Sequence, residues 1–191
     1  MSTKDLSKWA EMYRSRIGSS YPAYCRQQYR PFLQAIRDYM DACPIGVIRE
    51  EGCGIATITK ILVQDADLSR FDFAAFDSNL EQVRNAESNL AGENADVAVF
   101  YGDIFDKFYP VELIHSHGVL EHFSDEDIQR ILDRQLSEAK IVVHYVPLIG
   151  WDHQSYGDER LLPIDHWKVI HKPTYWQTFN NGKDAVLVWR R

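Results

Sequence analysis

The chain has 191 residues and a formal net charge of −7, with 26% charged and 45% hydrophobic residues. This length suits one compact domain with a buried core, and the composition excludes a disordered or fibrous chain. The acidic charge argues against nonspecific nucleic-acid binding, because such binding depends on Lys and Arg displacing counterions from phosphates. The three cysteines have no C-x-x-C spacing, and no apolar run has the length of a signal peptide or membrane span. We therefore expect free thiols and a cytoplasmic location.

The first segment of the chain is predicted to be helical, over residues 4–17 and 23–42. Apolar positions such as Trp9 and Tyr13 repeat at helical spacing in the first helix, and a similar pattern runs through the second. Pro44 ends the second pattern, because proline disfavours a helical conformation in the residue before it.

Residues 44–147 alternate short apolar runs with helical segments. The strand candidates are "PIGVIRE", "FDFAAFD", "ADVAVFYGD", "VELIHSHG" and "KIVVHYVP". The clearest helix is "SDEDIQRILDRQLSEA", in which Ser124 and Asp127 resemble a capping box. Alternation of this kind predicts an α/β fold with a mostly parallel sheet. Two apolar runs around Asn180-Asn181-Gly182 predict that the sheet ends in an antiparallel hairpin.

A glycine turn follows the first predicted strand, in the sequence Glu50-Glu51-Gly52-Cys53-Gly54. The first strand-to-helix turn of such a sheet is where the backbone approaches a ligand. The dinucleotide fingerprint G-x-G-x-x-G fails, since its third glycine is replaced by Thr57, and no phosphate-binding G-K-[ST] follows. The pattern E-x-G-x-G resembles motif I of the class I S-adenosylmethionine-dependent methyltransferases. Ala56 stands where that family often has a third glycine.

Two further acids follow the next two predicted strands, Asp77 in "FAAFDSN" and Asp103 in "FYGDIFD". The resemblance implies that Glu50 lies near the methionine ammonium, Asp77 accepts hydrogen bonds from the ribose, and Asp103 receives the adenine amino group beside Ile104. An alternative for Asp77 is that it only caps the helix that begins at Ser78. The implied cofactor contacts are Glu50, Gly52, Cys53, Gly54, Asp77, Ser78, Asp103, Ile104 and His117.

The segment "VELIHSHGVLEHFSDEDI" is similar to the post-strand segment of small-molecule methyltransferases of the ubiquinone-biosynthesis type. The resemblance implies a Rossmann-like three-layer sandwich, with a mostly parallel seven-stranded sheet ending in an antiparallel hairpin. We expect one domain, made of an N-terminal helical cap over residues 1–43, a cofactor-binding core over residues 44–147, and an acceptor loop and hairpin over residues 148–191. Tyr13, Tyr21 or Tyr24 of the cap is expected to close the site.

A general base is needed only if the methyl acceptor carries a proton on its nucleophile. The candidates are His117, Glu121, His122 and His144, which lie near the carboxyl ends of predicted strands. For His115 and His117, which face the same side of a strand, the alternative is a hydrogen bond to the cofactor or within the core. We expect no metal, because a zinc site from His115, His117 and His122 lacks a fourth ligand and no paired cysteines support it.

The acceptor is expected to meet the long connection over residues 150–167. Tyr156, Arg160, His166 and Trp167 are the candidate acceptor-binding residues, and the alternative is an aromatic cluster that anchors a surface loop. The motifs D-P-P-Y and P-C of nucleic-acid methyltransferases are absent after the fourth predicted strand, which together with the acidic charge makes DNA an unlikely substrate.

The sequence therefore predicts an enzyme that transfers a methyl group from S-adenosylmethionine to the oxygen, nitrogen or carbon of a small molecule. A catalytically silent module that binds S-adenosylmethionine for regulation is the alternative, and a protein or RNA methyltransferase is a weaker one. A nicotinamide oxidoreductase is disfavoured by Thr57 and by the acid at Glu50. The acceptor and the oligomeric state stay open.

Overall fold

The structure, a computed structural model, describes residues 6–152 and 158–191. Its centre is a seven-stranded sheet with the strand order β3-β2-β1-β4-β5-β7-β6. The strands are β1 (Gly46–Glu51), β2 (Phe71–Asp77), β3 (Val97–Tyr101), β4 (Val111–His117), β5 (Ala139–Pro147), β6 (Tyr175–Phe179) and β7 (Asp184–Arg190). The first five run parallel, and β7 pairs antiparallel with both β5 and β6. This confirms the predicted mostly parallel sheet with a terminal hairpin.

Helices cover both faces of the sheet and make a three-layer sandwich. The described helices are α1 (Leu6–Arg14), α2 (Tyr21–Gln28), α3 (Arg30–Ala42), α4 (Thr57–Asp65), α5 (Leu80–Leu90), α6 (Asp125–Glu138) and α7 (Ile164–Ile170). Helices α2, α3 and α4 pack on one face around Phe32, Ile61 and Leu113. Helices α6 and α7 pack on the other face around Ile131 and Trp167. No helix in the described ranges is long and apolar enough to cross a membrane.

Three predicted boundaries were wrong. The first helix ends at Arg14 rather than at residue 17, and the helix predicted over residues 23–42 is two helices separated at Tyr29. Pro31 lies in the first turn of the second of these, where the missing proline N–H costs no hydrogen bond. The connection predicted over residues 150–167 ends before residue 167, because α7 begins at Ile164.

Local sequence signals explain the elements that flank the site. Ser124 caps α6, since its hydroxyl accepts a hydrogen bond from the Asp127 N–H and donates one to the Asp127 carboxylate. The hairpin turn has positive φ angles at Asn180, Asn181 and Gly182, which are residues that tolerate them.

Strand β1 lies at the point where the order of the sheet reverses. Its neighbours are β2 on one side and β4 on the other, so the loops that follow β1 and β4 diverge from adjacent strands. In open α/β sheets this divergence creates a crevice at the carboxyl ends of the strands. A cavity lies there, between the sheet edge and helices α1 and α2.

Candidate functional site

The glycine turn forms the floor of the cavity. Gly52 has a φ of +68°, and a Cβ at this position would lie 2.7 Å from Val119 Cγ2, so only glycine fits between the β1 and β4 ends. Gly54 has a φ of +54° and faces the Tyr13 ring. Ala56, the departure from the family pattern, is itself left-handed with a φ of 52°. Gly52, Gly54 and Ala56 therefore all have left-handed backbone conformations, although Ala56 has a Cβ.

The Glu50 side chain lies near the carboxyl end of β1, at the wall of the cavity. Its Oε2 accepts hydrogen bonds from the Thr59 N–H at 3.0 Å and the Thr59 hydroxyl at 2.5 Å, at the start of α4. Burial raises the pKa of Glu50 to about 7, because the bonds from Thr59 only partly offset the cost of removing its charge from water. No hydrogen bond from the described residues reaches Oε1.

Asp77 ends β2 on the opposite wall. Its Oδ2 accepts a hydrogen bond from the Gly54 N–H at 2.9 Å, and its Oδ1 accepts one from the Asn79 N–H at 2.9 Å. Burial raises the pKa of this carboxyl, against the lowering effect of these backbone donors. The helix cap is provided by Asn79, whose side chain accepts from the Glu81 N–H. Asp77 therefore fixes the glycine turn to the β2 end and still borders the cavity.

The rest of the wall is aromatic, aliphatic and polar, and among the described residues it contains neither Lys nor Arg. Trp9 and Tyr13 of α1 close it from above, with their rings stacked at 5.8 Å. Tyr21 and Cys25 of α2 close one end. Of the tyrosines expected to close the site, only Tyr24 is not part of the wall.

Seven of the nine predicted cofactor contacts border the cavity, namely Glu50, Gly52, Cys53, Gly54, Asp77, Ser78 and His117. Asp103 and Ile104 do not. Asp103 is exposed, and its carboxylate accepts a hydrogen bond from the Phe105 N–H at 2.9 Å within its own loop. Ile104 is buried in the core on the α6 face. The structure therefore corrects the expected position of these two residues relative to the cavity.

The candidate bases separate into two groups. His117 and His122 border the cavity, whereas His144 is fully buried on the opposite face of the sheet. Both ring nitrogens of His144 are bonded, Nδ1 to the Ser116 hydroxyl at 2.6 Å and Nε2 to Gln135 Oε1 at 2.9 Å. His144 cannot reach a ligand in the cavity, and the interpretation of it as a base was wrong.

The candidates near the cavity differ in their surroundings. His117 stacks on Tyr145 at 4.4 Å, and burial lowers its pKa to about 3, so the ring is neutral. His122 Nδ1 lies 2.9 Å from Asp158 Oδ1. Glu121 is buried outside the cavity wall, and its backbone carbonyl accepts the Arg160 N–H. Within the described ranges no group of three His, Cys, Asp or Glu side chains is arranged to bind a metal ion.

The predicted acceptor residues lie away from the cavity. Arg160 and His166 both bond to Asp125 at the start of α6, at 2.5 Å and 2.9 Å. Trp167 is 1% exposed and belongs to the core under α7, which corrects its assignment to an acceptor pocket. Tyr156 lies outside the described residues.

Sequence reasoning missed Thr59, Trp9 and Asp158. Trp9 had a usable signal, because it lies four residues before Tyr13 and therefore on the same face of α1. No sequence signal marked Thr59 or Asp158, because only the folded chain brings Thr59 to Glu50 and Asp158 to His122.

Comparisons with known proteins agree on the fold. No protein-family model matches the chain, and no curated protein matches its sequence. A possible exported protein from Bordetella parapertussis superposes over 87% of this chain and 67% of its own, with a TM-score of 0.69 and 13% identity. A S-adenosylmethionine-dependent methyltransferase from Clostridium acetobutylicum superposes over 75% of this chain and 83% of its own, with a TM-score of 0.62 and 10% identity.

A third structure, the mitomycin 7-O-methyltransferase MmcR, superposes over 76% of this chain with a TM-score of 0.64 and 13% identity. This chain spans about half the length of MmcR, 49%. At these identities the comparisons show the fold, which is the Rossmann-like fold of the class I methyltransferases. The resemblance inferred from the sequence is confirmed at that level.

Proposed function

We propose that this protein binds S-adenosylmethionine in the cavity above β1 and transfers its methyl group to a small molecule. One observation carries the proposal. A buried carboxylate, Glu50, borders a cavity whose described wall has no Lys or Arg. A cationic ligand is favoured by such a wall, whereas the pyrophosphate of a dinucleotide needs cations or amide donors.

The residues present fit this cofactor. Glu50 has one carboxylate oxygen without a hydrogen bond from the described residues, and a ligand ammonium would supply the missing donor. Asp77 borders the adjoining wall and has lone pairs left for ribose hydroxyls. The Trp9 and Tyr13 rings above the glycine turn favour a cation through their π faces.

When bound, S-adenosylmethionine supplies an electrophilic methyl group on a sulfonium. The residues of this chain would hold it, exclude water and align the acceptor, and positioning of this kind contributes on the order of 7 to 11 kcal/mol to rate acceleration. His122, held by Asp158, borders the same cavity and is the proposed group for accepting an acceptor proton, whereas the lowered pKa of His117 makes it a poor base.

Isothermal titration calorimetry with S-adenosylhomocysteine and with NAD tests the cofactor. We expect binding of S-adenosylhomocysteine and no binding of NAD. Absence of heat with S-adenosylhomocysteine in the folded protein would contradict the proposal. Binding of NAD alone would instead indicate a nicotinamide-dependent oxidoreductase.

Glu50→Gln refines this test. The substitution keeps an oxygen that can accept from Thr59 and removes the charge, so we expect S-adenosylhomocysteine to bind roughly 10 to 100 times more weakly. Because the pKa of Glu50 is raised to about 7, the affinity for S-adenosylhomocysteine, whose ammonium would pair with the ionised carboxylate, should also fall as the pH is lowered from about 8 to about 6. The Glu50→Gln variant should lack this pH dependence. An equal pH dependence in both proteins would remove Glu50 from ammonium binding.

A further inference from the structure

A second cavity lies outside the candidate site, between α3 and the end of the sheet formed by β7 and β6. It has a volume of about 750 Å³ and, within the described ranges, shares no lining residue with the cavity above β1. Ile141 and Val188 of the sheet line it, together with Tyr175 and Gln177 of the edge strand β6. Tyr175 is 48% exposed. This cavity, the α3 groove, is therefore an open surface with an apolar and aromatic lining.

Helix α3 has a buried side and an exposed side. The buried side is apolar and packs into the core. Arg30, Gln34 and Asp38 are exposed and line the groove. Because residues four positions apart are neighbours on a helix surface, these three form one row along α3. The row has a positive charge at one end, a neutral amide in the middle and a negative charge at the other end.

The charges at the two ends of this row have no partner of opposite charge within the described ranges. Arg30 has neither a hydrogen bond from its side chain nor an ion pair there. Asp38 accepts a hydrogen bond from Gln34 Nε2 at 2.6 Å and has no cation beside it. Both charges are therefore available to a partner that contacts α3.

We propose that the α3 groove is the interface between two copies of this chain, which pack their α3 helices antiparallel about a two-fold axis at Gln34. Arg30 and Asp38 are each four residues from this axis. Arg30 of one copy therefore lies opposite Asp38 of the other, twice in the dimer, as a two-fold interface requires. The row is complementary to its own reverse, whereas a wholly acidic or wholly basic segment would match only one of its ends.

The charge of the groove also favours a second copy as the occupant. Arg190 lines the groove as well, so its described lining has two cations and one carboxylate. The chain as a whole has a formal net charge of −7. The groove is thus a locally positive surface on an acidic protein, and a second acidic chain is attracted to it.

Charge reversal tests the antiparallel pairing. Sedimentation velocity of the wild-type protein should show a dimer with a dissociation constant of about 10 µM or tighter. Asp38→Arg places two arginines opposite each other at both contacts, and Arg30→Asp places two carboxylates there. Each variant alone should dimerise at least about tenfold more weakly. An equimolar mixture of the two variants should form a heterodimer with nearly the wild-type affinity, because opposite charges then meet at both contacts.

Crosslinking tests the position of the axis by a separate measurement. Cys25, Cys43 and Cys53 are buried, so Gln34→Cys introduces an exposed thiol that lies at the axis in both copies. Mild oxidation should link two chains of this variant, as seen on a gel without reductant. Asp41→Cys is the matched control, because residue 41 is exposed on the same helix and outside the groove lining. It should give little covalent dimer.

Asp41→Arg is the matched control for the charge reversals and should leave the dimer unchanged. A wild-type protein that stays monomeric at about 100 µM overturns the inference and leaves the groove to another partner. Reversal variants that dimerise as the wild type does, or that fail to associate when mixed, overturn it as well. Equal crosslinking through positions 34 and 41 would contradict an axis at Gln34.

Discussion

Glu50 and Glu51 are neighbours on one strand, are 2% and 0% exposed, and lie in two regions with opposite electrostatics. Because successive side chains of a strand point to opposite faces, Glu50 meets the cavity and Glu51 meets α6. The Glu51 carboxylate accepts hydrogen bonds from Arg49, Arg134 and Gln135. Glu50 has only Thr59 and no cation within the described residues.

The region around Glu51 is a closed network. Two guanidinium groups, of Arg49 and Arg134, are balanced by two carboxylates, of Glu51 and Glu138. Its formal net charge is therefore zero. The region around Glu50 is open, since a buried carboxylate faces a cavity without a counter-charge in its described wall. The two carboxylates are therefore equally buried, and they differ in whether a cationic partner lies beside them in the described residues.

The largest expected effect is the loss of stability on breaking the closed network. Glu51→Gln removes one of its two negative charges and leaves a buried excess of positive charge on Arg49 and Arg134. We expect the free energy of unfolding to fall by about 3 to 5 kcal/mol. Urea denaturation at about pH 8 measures it, and Glu50→Gln is the matched control. An equal effect of the two substitutions would contradict the division into closed and open regions.

Replacing Glu50 should have the opposite effect on the free energy of unfolding. Its pKa is about 7 in the folded protein and near 4.5 when unfolded, so the folded state binds more protons between these values. Stability therefore decreases as the pH rises from about 4.5 to about 7, by on the order of 2 to 3 kcal/mol. Glu50→Gln should remove this loss and be more stable than the wild-type protein at about pH 8. The difference between the two unfolding free energies, followed against pH, tests this; a constant difference would show that Glu50 stays ionised.

The sequence was sufficient for features that depend on nearby residues. Periodicity and turn chemistry predicted the sheet with its hairpin and the cap at Ser124. These signals are local, because each needs only the residues within one element and its ends. The family resemblance, rather than a local signal, implied that Glu50 and Asp77 lie beside the glycine turn.

The wrong predictions concern side-chain direction and distant partners. Asp103 follows the expected strand, but its carboxylate accepts a hydrogen bond from the Phe105 N–H within the same loop. Trp167 looked like a loop aromatic because nothing in the sequence marks the start of α7 clearly. The partners of Glu51 on α6 are more than eighty positions away in the chain. Pairing over such distances is determined by packing between elements, which one sequence does not display.

A smaller effect is expected for Asp77→Ala, which breaks the open region at its second carboxylate. The substitution removes the bonds to the Gly54 and Asn79 N–H groups and an acceptor for ribose hydroxyls. Affinity for S-adenosylhomocysteine should fall at least about tenfold, or about 1.4 kcal/mol. Asp72→Ala, at an exposed position of the same strand, is the control and should leave calorimetric affinity unchanged. An unchanged dissociation constant for Asp77→Ala would make Asp77 purely structural.

Another effect of this size tests whether His144 belongs to the closed region. The Gln135 amide donates to Glu51, so its oxygen accepts from Nε2–H of His144, and Nδ1 accepts from the Ser116 hydroxyl. Ser116→Ala leaves Nδ1 buried without a donor and should cost about 1 to 2 kcal/mol of unfolding free energy. The control Ser137→Ala removes an exposed hydroxyl and should change stability by less than about 0.5 kcal/mol. Because Ser116 and His144 face away from the cavity, the affinity for S-adenosylhomocysteine should stay within twofold. A larger loss would show that His144 influences ligand binding and would contradict the separation of the closed region from the open one.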